Sequence, residues 1–86
     1  MNPYTILKNP LTTEKAVRMM EAENKITFLV ANDASKRDIK EAAEELLKAK
    51  VTKVNTIITG HSIKKAYVQL GKEKLATEVM AQLGFM

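Results

Sequence analysis

Residues 51–70 read VTKVNTIITGHSIKKAYVQL. Val51 to Thr59 and Lys64 to Leu70 are each rich in β-branched or aromatic side chains, and Gly60-His61-Ser62 between them supplies turn residues. The stretch is therefore predicted to be a hairpin. Alternation across a strand places Ala66, Val68 and Leu70 on one face and Lys65, Tyr67 and Gln69 on the other. In the preceding strand Lys53, Asn55, Ile57 and Thr59 share a face. If the register sets these faces side by side, one surface presents lysine, amide, hydroxyl and a tyrosine ring together. Charge marks the same region. Between Glu45 and Glu73 lie six lysines (Lys48, Lys50, Lys53, Lys64, Lys65 and Lys72) and no acid, while each flank sums to −1 and the whole chain to +4. A basic hairpin on a nearly neutral body is the electrostatic outline of a polyanion-binding module.

Upstream of the hairpin, Ser35 opens the clearest helix. It is a good N-cap, and Asp38 three residues on completes a pair resembling a capping box. Ile39, Ala42, Ala43, Leu46 and Leu47 then follow the spacing of one helical face. Before that helix, Lys25 to Ala31 (KITFLVA) is predicted to be a central strand, with Ile26, Phe28 and Val30 on one side and Leu29 asking for some cover on the other. Thr12 or Thr13 caps a helix that begins near Glu14 and turns Ala16, Val17 and Met20 inward. A brief edge strand is expected at Tyr4 to Leu7, between Pro3 and Pro10. Downstream, a third helix near Leu75 to Leu83 carries Leu75, Val79, Met80 and Leu83 inward and stops at Gly84. The expected order is β-α-β-α-β-β-α, an α+β fold in one domain spanning residues 1–86.

Composition excludes several classes of function. There is no cysteine, which removes disulfides and thiolate metal sites, and the single histidine, His61, removes most other metal constellations. No apolar run approaches the roughly 20 residues of a membrane span, and no signal pattern opens the chain, so a soluble cytoplasmic domain is expected. The three glycines (Gly60, Gly71 and Gly84) sit where turns and helix ends need them, not in a phosphate-binding fingerprint. No nucleophile, base and acid stand in a catalytic arrangement, so catalysis, cofactors and a small-molecule substrate are not expected. His61 reads as a turn residue, with a phosphate contact as its alternative.

Clustered lysines suit a polyanion because each neutralised phosphate releases condensed counterions. A ring beside them can stack on an unpaired base, and Asn or Thr can bond phosphate or a ribose hydroxyl. The same charge run could equally solvate an exposed face, and Tyr67 could equally pack in the core.

The residues also carry a family likeness. The opening NPY, Pro10, Thr13-Glu14-Lys15-Ala16, Asn24 to Phe28, Ala34 to Lys40, VTKVNT at Val51–Thr56, KKAYV at Lys64–Val68 and the closing Leu83-Gly84-Phe85 fall in order along the chain. In this the chain resembles the universal large-subunit ribosomal protein twenty-three, in its short archaeal form. The resemblance implies a four-stranded, mainly antiparallel sheet packed with three helices. It implies a non-enzymatic, ribosome-bound role on large-subunit ribosomal RNA beside the peptide exit tunnel, next to ribosomal protein twenty-nine. The signal recognition particle or other exit-site factors would dock there, with Glu14 at the position that family members offer to them. Lys15, Asn55, Thr56, Lys64, Lys65 and Tyr67 would face RNA. Joined to the charge reading, the expected RNA-binding set is Lys8, Lys15, Arg18, Lys53, Asn55, Thr56, His61, Lys64, Lys65 and Tyr67. Two departures stand out: Gln69 occupies a position often basic in the family, and the turn at 59–63 is too short for the extension bacterial members insert there.

Two other classes remain in view. A small acid-anhydride hydrolase needs an anion loop with glycine and arginine, for which Gly60 and Arg18 are the nearest candidates. A stand-alone RNA-recognition domain needs exposed strand aromatics, for which only Phe28 and Tyr67 are at hand.

Overall fold

The computed structural model describes residues 3–60 and 63–84. Within them the chain runs α1 (Pro3–Ile6), β1 (Leu7–Pro10), α2 (Glu14–Glu23), β2 (Lys25–Val30), α3 (Lys36–Leu47), β3 (Val51–Ile58), β4 (Lys64–Leu70) and α4 (Ala76–Gln82). The expected β-α-β-α-β-β-α order is present, preceded by the single helical turn α1. That turn displaces the edge strand expected at Tyr4 to Leu7: β1 begins only at Leu7. Pro3 suits the first position of a helix, where its missing N–H is no loss, and the turn lets Ile6 and Leu7 both enter the core.

The four strands form one sheet in the order β1-β2-β4-β3, and every pairing is antiparallel. The hairpin folds back so that β4 lies between β2 and β3. β2 is interior, which accounts for its run of buried residues: only Lys25 and Leu29 keep partial exposure. One sheet face presents Ile26, Phe28 and Val30 of β2 with Ala66, Val68 and Leu70 of β4. These pack with Ile39, Ala42, Ala43 and Leu47 of α3, and Met20 of α2 and Val79 and Met80 of α4 complete the cluster. Leu46 is only partly buried at the edge of this core, so the α3 stripe is narrower than its spacing implied. On α4 the correction is larger. Leu75 is 54% exposed and Leu83 also lies open, while Ala76, Val79 and Met80 are buried. The helix is seven residues long, so its inward face has room for little more than one turn of contacts.

Caps fix where these elements begin and end. Thr13 accepts from the Ala16 N–H at 3.2 Å. Ser35 and Asp38 form the full reciprocal capping box, each bond 3.1 Å long. Asn24 ends α2 in the left-handed conformation, φ 58°. Its side chain also organises the far end of the chain, donating to the carbonyls of Gly71 (3.1 Å) and Lys74 (2.9 Å) and accepting from the Ala76 N–H (2.6 Å). Leu75 has no capping side chain of its own, so the N-terminus of α4 is satisfied from 52 residues away. Lys74 in turn reaches the Lys48 carbonyl at the end of α3, 2.7 Å away.

Candidate nucleic-acid interface

The register of the hairpin is the one that joins the two polar rows. Asn55 lies opposite Tyr67, Ile57 opposite Lys65, and Lys53 opposite Gln69 across a bulge after Val51. Antiparallel partners project to the same side, so Lys53, Asn55, Lys65 and Tyr67 share a face. On the other flank of β4, Thr27 stands opposite Tyr67 and Leu29 opposite Lys65. This face has no carboxylate among its strand residues, and it is the one α3 leaves open.

Helix α2 covers one margin of it. Thr27 is 4% exposed, and α2 contributes Lys15, Ala16 and Met19 to a groove of about 90 Å³ that also borders Thr27, Lys65 and Tyr67. Two stretches expected separately to face RNA, at Lys15 and at Lys65-Tyr67, are thus brought together although Lys15 and Lys65 stand 50 positions apart in sequence. At the other end Gln69 donates to the Glu23 carbonyl (3.4 Å) and Lys25 pairs with Glu23 (3.2 Å). That end is closed by mutual contacts. The open part is centred on Lys65, Tyr67, Asn55 and Lys53.

The remaining expected contacts disperse. Lys64 pairs with Val30 and Ile58 on the helix-covered side, where its ammonium donates to the Ala34 carbonyl. Thr56 lies opposite Ala66 and so belongs to that same side. Arg18 is exposed on α2 but ion-paired with Glu14 one turn earlier, which also engages the carboxylate expected to meet docking factors. Lys8 is exposed on β1, at the bulge beside Leu7. His61 lies outside the described residues. Thr27 was not singled out from the sequence. A threonine in an apolar strand has no pattern of its own, and only the pairing with Tyr67 reveals it.

Aromatic placement separates this surface from a stacking platform. Phe28 is 1% exposed beneath the helices, leaving Tyr67 as the ring on the open face among the described strands. Nor do the described residues form an anion loop, since Gly60 sits in the hairpin turn and Arg18 on α2, and no described pocket is lined by both. A broader depression, about 760 Å³, mixes Glu21 and Glu23 with Lys25 and Lys72 around Leu70 and Leu75. Among the described residues no cluster of His, Cys, Asp or Glu could hold a metal, and no helix is long and apolar enough to cross a membrane.

The fold is a small α+β domain whose sheet has one covered face and one open, basic face. Comparison with known proteins says which kind. The ribosomal protein L23 family matches residues 5–74. The large ribosomal subunit protein uL23 of Methanococcus vannielii is 44% identical over 84 residues, 98% of each chain. The chain belongs to the ribosomal protein L23 family. It is a structural ribosomal protein of archaeal type, not an enzyme.

Proposed function

We propose that this protein is held in the large ribosomal subunit by ribosomal RNA bound to the open sheet face, with Lys15, Lys53, Asn55, Lys65 and Tyr67 as the contacting set. The observation that carries the reading is the β3–β4 register, which lines up amide, ring and ammonium groups on one side without an acid among them. The ammonium groups of Lys15, Lys53 and Lys65 have no hydrogen-bond or ion-pair partner among the described residues, so their charge is available to phosphate. Together they make about three phosphate contacts. Binding to deproteinised large-subunit RNA should then fall with salt at a log–log slope of about −2 to −3. A slope near zero would sink the reading.

The likeness to uL23 supports a finer placement as part of the same proposal. The subunit site is beside the peptide exit tunnel, next to ribosomal protein twenty-nine, on cytoplasmic ribosomes. Exit-site factors such as the signal recognition particle dock near the start of α2, where Glu14 is exposed at the helix end that favours an acid. Cross-linking from Glu14→Cys on assembled subunits tests this; cross-links confined to RNA would remove the docking role.

A further inference from the structure

The groove between α2 and β4 contains a polar group that the free fold leaves without a partner. The Thr27 hydroxyl is closed off from solvent and makes no hydrogen bond. Such a group costs stability that valine, with the same outline, would not. The rest of the groove is lined by apolar side chains (Leu11, Ala16, Met19), the Tyr67 ring, Thr13 and two lysines (Lys15, Lys65), with no acid among them. At about 90 Å³ it is well below the roughly 300–1,000 Å³ of a site for a drug-sized ligand. The space suits the edge of one planar ring.

Resting on the RNA reading above, we propose that the groove receives a single unstacked nucleotide. Its base edge enters beside the Tyr67 ring and bonds the Thr27 hydroxyl, and its flanking phosphates meet the ammonium groups of Lys15 and Lys65. Met19, half-buried, unbranched and adaptable, is the side chain that moves aside to admit it. Unpaired bases are recognised in this way, by a ring to stack on and a polar group for the base edge, whereas a purely electrostatic surface needs neither a hidden hydroxyl nor an apolar lining.

The test uses the full chain and deproteinised large-subunit RNA. Thr27→Val should melt at or above the parent's temperature yet bind about 3- to 10-fold more weakly, the worth of one hydrogen bond, with an unchanged salt slope. Thr27→Ser should bind nearly as the parent does. Lys65→Ala should instead flatten the slope by roughly one unit. If Thr27→Val binds as the parent does while Lys65→Ala is weakened, the groove is empty and the RNA reading stands. If the parent itself does not bind, the RNA reading fails and this inference with it. Should Thr27→Val melt below the parent, emission from Tyr67 decides, measured in a Tyr4→Phe background because the chain has two tyrosines and no tryptophan. Quenching at saturation supports the inserted base, and unchanged emission overturns it.

Discussion

Lys64 and Lys65 are adjacent in the chain and belong to opposite faces of the sheet. Lys65 stands on the open face beside Tyr67, lining the α2 groove. Lys64 lies on the face that α3 covers, and its ammonium is spent on the Ala34 carbonyl in the β2–α3 connection. One lysine is a fastening within the fold, and its neighbour is free to meet a partner. The difference teaches that a basic run in a strand overstates its binding charge. Period-two alternation turns half of it towards the protein's own core side, where backbone carbonyls compete for it.

The comparison breaks most violently on the covered face. Ile39 is fully buried against the sheet, and Ile39→Ala should lower unfolding stability by about 2–5 kcal/mol through lost burial and a residual cavity. Chemical denaturation measures this. RNA affinity at temperatures where the variant is folded should stay at the parental value, because α3 has no place in the open face. Next in size is Asn24. Asn24→Gly keeps the left-handed backbone that ends α2 and deletes the three bonds that tie α2 to the α4 entrance. A loss of about 1–3 kcal/mol is expected, with hydrogen exchange rising first in α4.

Smaller, and aimed at the lysine pair itself, are two single substitutions. Lys65→Ala should weaken RNA binding several-fold and change stability by less than about 0.5 kcal/mol, as surface substitutions usually do. Lys64→Ala should leave the salt slope intact and loosen the β2–α3 connection, visible as faster amide exchange around Ala34. Equal effects of the two on the slope would show that the faces do not divide the work.

The elements that build the two faces were legible in the sequence, but not the division between Lys64 and Lys65, both of which were expected to face RNA. Ser35 with Asp38, the turn after Thr59 and the alternation in KKAYV are short-range signals, and each is met by the fold: the capping box forms, the hairpin closes, and Tyr67 faces Asn55. What the sequence left open were contacts between distant segments. That Lys15 joins Lys65 depends on how α2 tilts across the sheet, and that Asn24 caps α4 depends on two chain ends meeting. Neither has a periodicity. Leu75 and Leu83 misled for a related reason: helical spacing shows which residues share a stripe but not how wide a stripe a seven-residue helix can bury.

The smallest effect concerns acid. Asp38 accepts the Ser35 backbone N–H in the capping box, and that bond first, with the Ser35 side chain second, holds its carboxyl below the ordinary value of 3.8. A carboxyl whose pKa is lower folded than unfolded stabilises the fold above the unfolded value, and the contribution fades as pH drops through the folded one. Comparing the melting temperatures of the parent and Asp38→Asn should show a gap that is constant above about pH 5 and narrows below the unfolded pKa of about 4. Because the group is exposed, the gap should be slight. It is also a clean control for the two-face picture, since the box sits at the start of α3, on the side of the sheet away from Lys65. The same substitution should therefore leave RNA binding at neutral pH unmoved, and a matching loss of affinity would mean that the covered side takes part in binding after all.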